Sequence, residues 1–137
     1  MKSAFLDTGY VIALELASDQ NHRAALKHWR GLIKSLPLIV TTSYVFHEIV
    51  TFFNSRGHHA KAVEIGNNLL NSSSVRLVHI DEGLFQEGWS YFQKHKDKEY
   101  SLTDCISFIV MREFGIDHAL AFDQHFTQSG FKRLPER

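Results

Sequence analysis

The feature that most limits what this chain can fold into is a set of short apolar runs, each ending at a polar or acidic residue and separated by helix-length segments. Ala4-Phe5-Leu6 stops at Asp7, and Leu38-Ile39-Val40 follows Pro37 and gives way to Thr41-Thr42. Val75 to Ile80 is rich in branched residues, and Ala119-Leu120-Ala121-Phe122 stops at Asp123. Runs of this length and composition read as buried strands. Between them the spacing of apolar residues predicts helices over 10–17, 22–34, 45–54, 60–70, 84–94 and 104–114. Strands that alternate with helices need crossover connections, so the expected fold is α/β, with a mainly parallel sheet covered on both faces. In open sheets of this kind ligands collect beyond the carboxyl ends of the strands, where Asp7 and Asp123 are expected to lie.

Two more acids draw attention because of their neighbours. Glu48 shares a helical face with Tyr44, Val45 and Phe52, and Asp104 shares one with Phe108 and Met111. A carboxylate in an apolar stripe loses hydration unless it is paired or metal-bound. Each acid also has a plainer reading. Asp7 and Asp123 suit strand ends or turns, and Ser101-Leu102-Thr103-Asp104 matches a capping box. If all four meet at one rim of the sheet, the cluster needs a cation, since two like charges about 4 Å apart repel by roughly 4 kcal/mol at an effective dielectric near 20. All-oxygen ligands favour hard ions such as Mg2+ or Mn2+. The zinc alternative fails at His47-Glu48-Ile49-Val50-Thr51, where threonine replaces the second histidine of the zinc-protease helix. The other histidines show no ligand spacing and read as surface or satisfied core residues.

Composition narrows the partners. The 15 lysines and arginines balance 15 aspartates and glutamates, so no global positive field attracts nucleic acid. Any nucleic-acid contact must then be local, and two basic stretches are candidates: Arg56, His58, His59 and Lys61, then Lys94, His95, Lys96 and Lys98. Either stretch also suits a solvated loop or helix end. No apolar run approaches the roughly 20 residues of a membrane span, and no signal-peptide pattern opens the chain, so a cytoplasmic protein is expected. The lone Cys105, between Asp104 and Ile106, reads as a buried, inert thiol. A length of 137 residues with 44% hydrophobic content suits one domain, and Asn71-Ser72-Ser73-Ser74 is a polar joint rather than a linker.

Four stretches in this order carry a resemblance: Phe5-Leu6-Asp7-Thr8, Thr42-Ser43-Tyr44-Val45-Phe46-His47-Glu48, Tyr100-Ser101-Leu102-Thr103-Asp104-Cys105, and Ala121-Phe122-Asp123-Gln124-His125-Phe126. Together they resemble the PIN-domain family, in particular its VapC-type toxin branch. The resemblance implies one nuclease domain over residues 1–137, a three-layer α/β/α fold, and an acidic centre that binds Mg2+ or Mn2+ and cuts RNA. It makes Asp7, Glu48 and Asp104 the invariant acids and Asp123 the less constant fourth, all four being catalytic metal ligands. It places the Thr8 and Ser43 hydroxyls beside them. It also implies a small protein antitoxin and self-association, for which Trp29 and Leu32 are candidate contacts.

Other chemistries fit less well. Aspartyl-phosphate enzymes need a second aspartate two residues after the first, where this chain has Gly9. A phospho-receiver would use an acid such as Asp81, but Asp81-Glu82 reads more simply as an acidic helix start. The alternative is a noncatalytic RNA- or protein-binding module that keeps the fold, against which the four acids argue because a binder of polyanions gains nothing from clustered negative charge.

Overall fold

In the computed structural model, which describes residues 1–136, apolar runs become strands wherever the chain crosses the interior. The strands are β1 (Ser3–Leu6), β2 (Leu38–Thr42), β3 (Val75–Val78), β4 (His118–Leu120) and β5 (Lys132–Leu134). Every pairing is parallel, in the order β3-β2-β1-β4-β5. The helices are α1 (Thr8–Glu15), α2 (His22–Leu32), α3 (Ser43–Ser55), α4 (His59–Asn71), α5 (Glu82–Lys94), α6 (Leu102–Glu113) and the short α7 (His125–Gln128). The α/β expectation holds, with a sheet parallel throughout.

The strand order explains the layers. From β1 to β3 the chain moves one way across the sheet, and from β3 it crosses back to β4 and β5. With right-handed crossovers, α1 to α4 cover one face and α5 to α7 the other. The packing follows the same division, with α1 on α2 and α3, α3 on α4, α5 on α6, and α6 on α7. The direction reverses between β1 and β4, which makes the carboxyl ends of these two strands the switch point where such sheets form binding crevices.

Three side-chain caps fix helix starts. Thr42 accepts from the Val45 amide, Asp81 from the Leu84 amide, and Ser101 from the Asp104 amide. Asp81 is therefore the helix start foreseen for it. The sequence reading missed β5 and α7. Lys132-Arg133-Leu134 is a basic edge strand, protected from further pairing by its charge, and the four residues of α7 are too few for a periodic signal.

The core joins Phe5, Tyr10, Ile39, Ile49, Phe108 and Phe126, all essentially inaccessible. Cys105 lies within it, and burial pushes its thiol up to about 11, as suits an inert residue. Gly88 lets α5 approach α6. A Cβ there would run into Ile106 Cγ1 and lie 3.4 Å from Ile106 Cα. Gly88→Ala is thus expected to lower stability by about 1–3 kcal/mol through overpacking, against alanine's helix-propensity advantage of about 1 kcal/mol. A urea midpoint equal to or above wild type would refute this close approach.

Candidate active site

The four predicted acids come together at the switch point. Asp7 directly follows β1 and is only 7% exposed. It holds the N-cap position of α1 but makes no side-chain cap bond, so its carboxyl is not used as a cap. Burial and the nearby charges of Asp104, Asp123 and Glu48 push it up to about 8, and the Thr8 amide offsets this only in part. The buried Asp7 therefore marks the centre of the cluster, since the other three carboxylates all act on it.

Each of the other acids is oriented by a named contact. Thr8 Oγ1 donates to Glu48 Oε1 at 2.8 Å, so the first residue of α1 aims a carboxylate borne by α3. Asp104, also 7% exposed, is the third residue of α6 and accepts the Ser101 amide at 3.1 Å through Oδ2. That oxygen also lies 2.9 Å from His125 Nδ1. Burial raises the Asp104 pKa, while the Ser101 and His125 hydrogen bonds work against the rise. Asp123 accepts the His125 amide at 2.9 Å through Oδ1, and its Oδ2 lies 3.2 Å from His125 Nδ1.

His125 corrects the expectation that the histidines stand apart from the site. Its ring bridges Asp104 and Asp123, and the three residues offer ligand atoms within 4.8 Å of one another. The Tyr100 ring packs against it nearly at right angles, with ring centroids 5.3 Å apart. The signal was its place two residues after Asp123, which lets its amide close a turn onto that carboxylate. Ser43 is used differently from Thr8. Its Oγ accepts the Ile80 amide at 3.0 Å, tying the start of α3 to the segment after β3.

The donor set fits a divalent cation. It consists of carboxylate oxygens with one imidazole nearby, and a buried carboxyl among three others carries repulsion that a cation would relieve.

The basic candidates divide. The Lys61 amine is held by Glu15 at 2.8 Å, the Arg56 guanidinium folds over the Phe52 ring at 3.7 Å, and His59 shares a hydrogen bond with Asn54. His58 occupies the N-cap position of α4 and is exposed, and Lys94, Lys96 and Lys98 are exposed around the end of α5. His95 instead stacks on Tyr91. Trp29 and Leu32 pack, half-buried, against the core. Among the described residues no helix is long and apolar enough to cross a membrane.

The 23S rRNA-specific endonuclease VapC20 of Mycobacterium tuberculosis is 36% identical over 127 residues, covering 93% of this chain and 94% of that protein. The crystal structure of VapC20, described as a sarcin-ricin loop cleaving toxin, matches with a TM-score of 0.82 at 35% identity, over 93% of this chain and 95% of that one. FitAcB from Neisseria gonorrhoeae shares the fold, with a TM-score of 0.63 at 17% identity over 95% of both chains. So does a toxin-antitoxin complex from Klebsiella pneumoniae, with a TM-score of 0.60 at 15% identity over 88% of this chain and 87% of that one. The PIN domain model matches residues 4–132, from β1 into β5 and through all four acids, and the chain belongs to the PIN-domain family.

Proposed function

We propose that the chain is a divalent-metal-dependent endoribonuclease and the toxin of a toxin-antitoxin pair, with Asp7, Glu48, Asp104 and Asp123 as metal-binding catalytic residues. The observation that carries this is the convergence of the four carboxylates on a buried, uncapped Asp7 at the switch point of the sheet. A noncatalytic binding role would leave that arrangement without a purpose. A divalent ion held there supplies Lewis-acid charge for the phosphate and lowers the pKa of a bound water. The chain's own residues do the positioning. Thr8 aims Glu48, the Ser101 amide and His125 hold Asp104, and Asp123 is fixed by its turn onto the His125 amide. Burial of Asp7 keeps bulk water from screening the charges at the centre.

The kinship with VapC20 makes 23S rRNA, and its sarcin-ricin loop in particular, the first substrate to try. Purified protein should cut that RNA with Mg2+ or Mn2+, stop in excess EDTA, and recover when the ion is restored. Full activity in EDTA, or intact RNA with either ion, would refute the reading. The neighbouring toxin-antitoxin structure supports a small antitoxin partner, and self-association as a homodimer completes the proposal. With ribosomal RNA as the proposed substrate, a cytoplasmic location is part of the same proposal. Sedimentation of the free protein should give a dimer, and a monomer at all working concentrations would remove that part of the proposal.

A further inference from the structure

We infer that the outward face of α2 is a docking ridge for the phosphate backbone of RNA. The inference rests on the nuclease reading and extends it to how the substrate is held. Arg23, Lys27, Arg30 and Lys34 are spaced four, three and four residues apart, so the helical repeat puts them on one stripe roughly 16 Å long. The first three belong to α2, and Lys34 to the single 3₁₀ turn Ile33–Ser35 that extends it. All four are exposed, and all line one shallow groove that also includes Leu26 and Gly31.

The charge pattern points to a polyanion. No acidic residue occurs between Asp19 and Glu48. Among the described residues none of the four cations forms an ion pair or a side-chain hydrogen bond. Because the whole chain is formally neutral, the remaining eleven lysines and arginines face fifteen acids, and the ridge is a positive strip on an otherwise negative molecule. Like charges at these helical spacings repel and weaken a helix, a cost that an anion lying along the stripe removes. The cations are in a line and do not converge on a point, which suits a string of phosphates better than one small anion.

The ridge stands in fixed relation to the acidic centre. On the inner side of α2, His28 Nδ1 shares a 2.8 Å hydrogen bond with the Tyr10 hydroxyl. The Tyr10 ring stacks on Phe122, the residue before Asp123, with centroids 5.9 Å apart. A four-carboxylate centre repels phosphates, so a neutral nuclease needs a separate cationic surface to retain RNA. The two basic stretches that are contiguous in sequence serve this less well, since Lys61 is paired with Glu15 and Lys96 and Lys98 alternate with Asp97 and Glu99.

The test measures binding separately from cleavage. In an Asp7→Asn background, anisotropy of a fluorescein-labelled stem-loop RNA is followed as NaCl is varied. Glutamine at Arg23, Lys27, Arg30 and Lys34 is expected to weaken binding by about tenfold or more and to reduce the log–log salt slope by about 3. A comparison variant with glutamine at Arg56, Lys94, Lys96 and Lys98 carries the same change in net charge and should move the slope less than half as far. Because the ridge side chains are exposed and unpaired, the ridge variant should melt no lower than its parent, which confirms that it is folded. Unchanged affinity and slope in the ridge variant, as expected if an acidic protein is the occupant, would overturn the inference. Equal losses in both variants would also overturn it, because net charge alone would then account for binding. Failure of the nuclease reading shows separately, as wild-type protein that leaves RNA intact with Mn2+ whatever the binding result.

Discussion

Asp7→Asn is expected to abolish RNA cleavage, lowering kcat by roughly 10²–10³-fold or more, while leaving a fully folded protein. Asparagine keeps the shape of the side chain and one oxygen acceptor, but it turns the other oxygen into an NH2 donor and removes the negative charge that a cation would meet. Asp7 is buried and interacts with the charges of all three other acids, so its loss weakens cation binding and leaves phosphate without a fixed counter-charge at the reacting position. The loss should appear in kcat more than in KM, because the ridge on α2 and the walls of the crevice are untouched. Asp81→Asn is the natural control. Asp81 is exposed and caps α5 through the Leu84 amide, so its replacement should cost at most about 1 kcal/mol of stability and leave cleavage unchanged. Single-turnover cleavage of the same RNA by both variants decides the matter. Activity of Asp7→Asn within tenfold of wild type would remove Asp7 from the chemistry.

Much of this site was legible because parallel sheets place strand ends on one rim, and the chain marks those ends itself with Asp7 after Leu6 and Asp123 after Phe122. The placement of Glu48 followed from helical periodicity in the same way. Capping and clustering looked like rival accounts of Asp104, yet the structure uses both. Its Oδ2 accepts the Ser101 amide and also meets His125. A carboxylate has lone pairs enough for two roles, so sequence logic that assigns one role per residue fails there. His125 escaped notice because its partnership with Asp104 spans 21 positions and depends on how α7 packs on α6. The ridge on α2 escaped notice for a different reason. Its cations are scattered along the sequence and align only when wound on a helix, whereas the contiguous stretch from Arg56 to Lys61 catches the eye and is partly spent on internal contacts. The edge strand β5 was hidden by its own protective charge.

Stability in the absence of metal should fall as pH rises from about 4 to about 8, and Asp7→Asn should remove much of that slope. The folded-state carboxyl of Asp7 is raised from the ordinary 3.8 to about 8, so between these values the folded chain keeps a proton that the unfolded chain has lost. The folded state then binds more protons, and stability decreases with pH by up to about 1.4 kcal/mol per unit for this one group. The contribution is fully present below the unfolded value and is lost once the pH passes the folded one. The raised pKa of Asp104 acts in the same direction, which is why the difference between wild type and Asp7→Asn is the quantity to measure. At pH 8 without metal the variant should be the more stable protein by on the order of a few kcal/mol, a melting difference of roughly ten degrees in a domain of this size. Adding Mn2+ at about 100 times its dissociation constant should then raise wild type by roughly 2.7 kcal/mol and barely move the variant. Because the cation displaces the Asp7 proton, its affinity for wild type should increase with pH across the same window, with protons released on binding. Calorimetric melting and proton-release titration at pH 5.5, 7 and 8 test each part. Parallel pH slopes for the two proteins would mean that Asp7 is not the strained carboxyl, and an equal Mn2+ shift in both would mean that it is not the metal's anchor.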